Sequence, residues 1–204
     1  GVAISEPGRR PDHREVYPCR PDLARELAAR LKEGGYEIEQ TNAWTHAGAP
    51  ANAYGMPHAY SFIYKQIMRG KVTPHVPFFI NTFFPPTQPS AGRCVAAGDA
   101  IADIIAKWPV EARVAIIGSG GLSHFVIDED LDRAALDAMR AGDRAAMAAL
   151  PEVELQSGSS EIKNWLATAA ACDTAGLKMR VLAYEPCYRS LAGTGTANGF
   201  AIWQ

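Results

Sequence analysis

Apolar positions along the chain recur with a helical period in four stretches and run together in short blocks between them. In residues 21–33, Leu23, Leu27 and Leu31 fall four apart among charged residues. This predicts an amphipathic helix with Asp22 placed to cap it and Gly34 and Gly35 to stop it. In residues 90–108, Cys94, Ala97, Ile101, Ile104, Ile105 and Trp108 form a second apolar stripe, with Ser90 as its cap. Asp128, Glu129, Asp130 and Asp132 open a third helical stretch, where negative charge suits the positive helix end, and the alanine-rich residues 134–150 continue it with a break near Gly142. A fourth begins at Ser157-Gly-Ser-Ser-Glu161, where Ser159 or Ser160 caps a helix running to Cys172 and Glu161 lies in its first turn.

The blocks between these helices predict strands. Residues 36–40 and 179–184 alternate, residues 76–82 are apolar up to Asn81, and residues 114–117 (Val-Ala-Ile-Ile) are bounded by glycines as in a core strand covered on both faces. Strand, helix and strand over residues 76–117 make a βαβ crossover, which implies parallel pairing. The expected fold class is α/β, a sandwich with a central, mostly parallel or mixed sheet covered by helices. Residues 1–20, rich in proline and charge, read as a surface segment or linker, and residues 21–204 as one domain. Residues 41–57 are a long loop, after which Pro57 opens a helix with His58 in its first turn. Residues 83–89 form a rigid aromatic and proline-rich loop, and residues 185–203 an irregular glycine-rich tail whose Tyr188, Arg189 and Thr194 border a pocket or an interface.

Composition narrows the function classes. A chain of 204 residues buries a real core without disulfides or a structural metal. A net charge of −2 leaves no electrostatic footprint for nucleic acid. No apolar run approaches the roughly 18 residues of a membrane span, and no signal-peptide pattern is visible, so a soluble cytoplasmic protein is expected. Cys19, Cys94, Cys172 and Cys187 make no paired motif and read as reduced thiols. The chain opens Gly1-Val-Ala without a methionine and reads as a piece of something longer.

Candidate chemistry gathers where residues 114–117 feed Gly118-Ser-Gly-Gly-Leu-Ser-His124. Ligands of α/β sheets sit beyond the carboxyl ends of strands, and Gly118, Gly120 and Gly121 permit positive φ and close backbone approach there. The loop completes neither the dinucleotide nor the P-loop pattern. His124 is then a base or a hydrogen-bonded core histidine, and Glu161 a functional carboxylate or a helix cap. His58, at a helix start that disfavours its cation, either contacts a ligand while neutral or packs. His13 reads as solvated, His46 as incidental, His75 as structural, and the acids after Asp128 as a solvated helix start rather than a metal site.

Three of these segments, Gly118-Ser-Gly-Gly-Leu-Ser-His124, Gly158-Ser-Ser-Glu161-Ile-Lys-Asn-Trp165 and Asn81-Thr-Phe-Phe-Pro-Pro86, together resemble the class III extradiol ring-cleavage dioxygenases of the protocatechuate 4,5-dioxygenase catalytic-subunit and gallate dioxygenase type. The resemblance runs from about Pro18 to the C-terminus. It implies Fe(II)-dependent cleavage of a catecholic ring by O2, on a protocatechuate-, gallate- or methylgallate-like substrate. It also implies that His124 is the acid/base, Glu161 an iron-ligating carboxylate and His58 a contact to the substrate hydroxyls. A homodimer or two-subunit assembly is implied as well. The two histidine ligands of that family precede the matched region. This chain is therefore expected to be the C-terminal part of the catalytic unit, with those ligands supplied by upstream residues or by another chain. A metal-free homologue acting as a binding or scaffold protein is the alternative, and a nucleotide-binding α/β domain ranks last.

Overall fold

The structure, a computed structural model, describes residues 17–40 and 58–204. The chain divides into two units, Gly1–Phe78 and Phe79–Gln204. In the first, helix α1 (Pro21–Glu33) buries Leu23, Leu27, Ala28 and Leu31, as the fourfold spacing requires. Pro21 begins it, and its missing N–H is one that a first turn leaves unpaired anyway. Asp22 does not cap α1. Its carboxylate instead accepts two bonds, of 2.9 and 2.6 Å, from the Arg20 guanidinium, which holds its pKa well below the usual carboxylate range. Helix α2 (His58–Phe62) runs into one π-helical turn, Ile63–Ile67. His75 is structural: Nδ1 donates to the Thr73 carbonyl, leaving Nε2 to accept from the buried Tyr64 hydroxyl. Residues 36–40 form no strand, because among the described residues no segment pairs with them.

The second unit is organised around helix α6 (Ile162–Thr174), buried around nearly its whole circumference, which follows a 3₁₀ turn, Ser157–Glu161. Helix α3 (Ala91–Lys107), capped by the Ser90 hydroxyl on the Arg93 N–H as expected, packs along it. The run of small residues Ala167, Ala169, Ala170 and Ala171 leaves room for this approach. Helix α4 (Glu129–Ala141) is capped by the Asp128 carboxylate on the Leu131 N–H and ends at Gly142 with φ 66°; α5 (Arg144–Ala148) follows. Arg144 ties three helices together through Asp99, Asp173 and the Ala170 carbonyl.

Strands β1 (His124–Val126), β2 (Met179–Tyr188) and β3 (Thr194–Trp203) form one sheet in the order β1-β3-β2, antiparallel throughout. The α/β class holds, with helices packed around this small sheet. The parallel crossover is not formed. Residues 76–82 and 114–117 carry no strand, and Val114 and Ile117 are 42% and 60% exposed. An apolar run specifies burial but names no partner, whereas the β2–β3 hairpin joins segments adjacent in sequence at small loop-closure cost. That hairpin includes residues 185–203, which read as irregular because the inward positions of β3 are Gly195, Ala197 and Gly199, too small to show an apolar alternation. Among the described residues no helix is long and apolar enough to cross a membrane.

One acid of the Asp128 to Asp132 run is not solvated. Asp132 is fully buried, with Oδ1 accepting from the Ser123 N–H at 2.7 Å and Oδ2 from the Ser123 hydroxyl at 2.7 Å and the Tyr184 hydroxyl at 2.9 Å. Burial pushes its pKa upward, against the lowering effect of those bonds.

Two outcomes are expected. A Cβ on Gly98 would stand 2.1 Å from the Ala167 carbonyl oxygen. Gly98→Ala is therefore expected to lower unfolding free energy by about 1–3 kcal/mol in a urea titration, despite a helix-propensity gain of about 1 kcal/mol. Because the pKa of Asp132 is raised in the folded state, its contribution to stability is present in full below the unfolded value near 3.9 and is lost as pH rises through the folded value. The stability of the native protein relative to Asp132→Asn should thus fall with rising pH across that window, and a pH-independent difference between the two melting curves would contradict it.

Candidate active site

Three side chains from the start of α6 fasten the loop that precedes β1. Asn164 Nδ2 donates to the Ser119 carbonyl at 3.2 Å, Trp165 Nε1 donates to the Gly120 carbonyl at 3.0 Å, and Glu161 Oε2 accepts the Gly121 N–H at 2.7 Å. Positions 161, 164 and 165 are spaced i, i+3 and i+4 and so share one face, from which they hold the loop at three points. Glu161 stands at the N-cap position of α6 but makes no side-chain cap bond, and neither Ser159 nor Ser160 caps this helix. Their hydroxyls serve elsewhere: Ser159 Oγ accepts the His124 N–H at 3.3 Å, and Ser160 donates to Thr82 Oγ1 at 3.1 Å.

The loop delivers His124 to the first position of β1, opposite Thr196. Its Nδ1 lies 2.9 Å from the Leu122 carbonyl oxygen. A carbonyl only accepts, so Nδ1 carries the proton and the neutral ring keeps its lone pair on Nε2. That nitrogen faces Glu161 Oε1 at 4.0 Å, with the two side chains 14% and 38% exposed. Oε1 takes no other hydrogen bond among the described residues, since Oε2 is the oxygen held by Gly121. The arrangement presents one imidazole lone pair and one carboxylate oxygen side by side at a partly open surface. Such a pair can take up and return a proton, and each atom is also a donor suited to a first-row metal.

Packing around the histidine is tight. A Cβ on Gly158 would lie 2.5 Å from His124 Cδ2 and 2.8 Å from Nε2, so this position admits no larger residue without moving the ring. Of the three loop glycines, Gly120 takes a positive φ, 152°. Within the described part of this unit, the non-glycine residues with positive φ are Phe125 (69°) and Ser157 (52°), the neighbours of His124 and Gly158. Such backbone costs on the order of 1–3 kcal/mol per residue and collects where a structure must hold a side chain in one pose.

The structure thus brings together His124 and Glu161, thirty-seven positions apart in the sequence. His58 opens α2 in the first unit. His13 and His46 lie outside the described residues. The sequence offers Ser159 only as a helix cap and gives Asn164 and Trp165 no role of their own; an amide or indole signals nothing until its partner is known. Among the described residues no three His, Cys, Asp or Glu side chains converge as a metal cage.

No curated protein matches the chain. A family model described as the catalytic LigB subunit of aromatic ring-opening dioxygenase matches residues 9–195, and this span takes in the glycine loop, His124 and Glu161. Matched over most of its length, the chain belongs to the family of the catalytic LigB subunit of aromatic ring-opening dioxygenase.

Proposed function

We propose that this protein carries out Fe(II)-dependent extradiol cleavage of a catecholic ring with O2, on a substrate of the protocatechuate, gallate or methylgallate kind, with His124 as acid/base and Glu161 as an iron ligand. The observation that carries the reading is the contact of His124 Nδ1 with the Leu122 carbonyl, which turns Nε2 toward Glu161 Oε1. Ferrous iron, if held by Glu161 and further ligands, would supply Lewis-acid and redox chemistry toward the diol and O2. The further ligands of such a centre are to be sought outside the described residues, and no step is derived through it.

What the chain's own residues do is move a proton. A catechol hydroxyl brought to Nε2 gives up its proton to that lone pair, and the ring becomes an imidazolium with both nitrogens protonated. Nδ1–H remains on the Leu122 carbonyl, so the ring does not turn as its charge changes. The imidazolium, with Glu161 Oε1 4.0 Å away, can later return the proton from the same nitrogen. Glu161 suits a ligand role because Gly121 holds Oε2 and fixes the direction of Oε1. His58 is assigned the substrate hydroxyls on the sequence resemblance. The protein is assigned to the cytoplasm and to a homodimer or two-subunit assembly, in keeping with a family whose description names a subunit.

The test is anaerobic Fe(II) loading of the full-length protein, followed by oxygen uptake with a panel of substituted catechols. His124→Ala should cut kcat by roughly a hundredfold or more, the scale of a lost general acid/base, with iron content unchanged. If iron is lost together with activity, Nε2 is a ligand and the acid/base assignment fails. Glu161→Gln should lower iron retention, and unchanged retention would remove it from the metal site. Gly158→Ala, which keeps both side chains but displaces the imidazole, should lower kcat about tenfold or more if ring placement matters as for other near-attack geometries.

A further inference from the structure

We propose that Asp132 is a positioning residue that sets the tautomer of His124 through the peptide bond between Leu122 and Ser123. The proposal rests on the acid/base reading of His124 for its functional meaning, although its geometry stands apart from that reading. The Leu122 carbonyl and the Ser123 N–H belong to one planar peptide unit. Its N–H donates to Asp132 Oδ1 at 2.7 Å, and its C=O accepts Nδ1–H of His124 at 2.9 Å. A buried carboxylate at one end of a rigid plane therefore aims the acceptor at the other. The carbonyl in turn keeps the proton on Nδ1 and the lone pair on Nε2.

The remaining contacts restrain rotation of that plane. Asp132 Oδ2 accepts the hydroxyls of Ser123 and of Tyr184 on β2, and the Ser123 hydroxyl accepts the Asp128 N–H at 2.8 Å. Leu122 N–H donates to the Ala197 carbonyl at 3.0 Å, and Ala197 N–H donates to the Ser123 carbonyl at 2.8 Å. Both Asp132 and Ser123 are fully buried, so no water competes for the carboxylate. A carboxylate kept out of water is costly, and an apolar residue at this helix position would pack at less cost. Two of its three hydrogen bonds go to the residue immediately before His124. That focus separates a positioning role from general support of the core.

The readout is the ring ¹⁵N spectrum of His124 in the metal-free full-length protein at about pH 9, where an ordinary histidine with a value near 6.5 is neutral. The native protein should show Nδ1–H. A ring protonated on Nε2 would overturn the proposal before any variant is made. Asp132→Ala should move the ring toward a mixture of tautomers. In the iron-loaded protein it should lower kcat roughly tenfold to a hundredfold with KM changed less than about threefold, the scale of a misplaced catalytic group. Asp132→Asn keeps an oxygen for the Ser123 N–H and should restore both the tautomer and most of kcat. Tyr184→Phe, which spares Oδ1, should leave the tautomer as in the native protein. If Asp132→Ala fails to fold, the native spectrum and the Asn variant still decide, since loss of Nδ1–H in Asp132→Asn sinks the relay. Turnover retained in His124→Ala would instead overturn the acid/base reading while leaving the tautomer result standing.

Discussion

The second unit depends on the grip of one helix on one loop. The first turn of α6 holds three successive loop residues, Ser119, Gly120 and Gly121, by side chains of Asn164, Trp165 and Glu161. The grip is effective because α6 itself cannot shift. It is buried almost all round, and α3 lies against it closely enough that Gly98 sits at the Ala167 carbonyl. A helix so enclosed transmits its position to whatever its end holds. The loop that reaches His124 is placed by core packing rather than by its own flexible glycines.

Polar groups buried in this unit follow the same logic. Lys163 is almost wholly buried and pairs with Glu152 Oε2 at 3.0 Å, while the other oxygen of Glu152 accepts the first N–H of α3, from Ala91. Two turns of structure distant in sequence are pinned by one charge pair whose cation has no access to water. Asp132 does the same for the turn before β1. Each of these groups costs desolvation free energy that a hydrocarbon would not, and each contributes a fixed geometry in exchange. Backbone strain at Phe125 and Ser157 falls at the two segments that meet beside His124, where the surrounding bonds hold it.

Legibility differed by element for reasons that can be stated. The helices were legible because their signals are local: Leu23, Leu27 and Leu31 lie on one face, Ser90 and Asp128 are capping side chains, and Gly142 takes the left-handed turn at the end of α4. Strand pairing was not. The block at 114–117 has the composition of a core strand, yet pairs with none of the described strands, while β3 hid behind Gly195, Ala197 and Gly199. Side-chain roles divided in the same way. Glu161 at a helix start reads from sequence as a cap or a functional carboxylate, and only the position of Gly121, forty residues earlier, shows that its carboxylate is engaged outside its own helix.

The sequence by itself determined the helices, the α/β class and the residues able to carry proton chemistry, because these depend on periods of a few residues and on the acidity of single side chains. The tertiary structure alone decided that His124 and Glu161 face each other, that Nε2 is the nitrogen left without its proton, and that Asp132 turns inward to the peptide before the histidine. The first rests on residues thirty-seven positions apart, and the other two, between residues two and nine apart, depend on the course the loop takes where α6 and the sheet hold it. No local pattern encodes them.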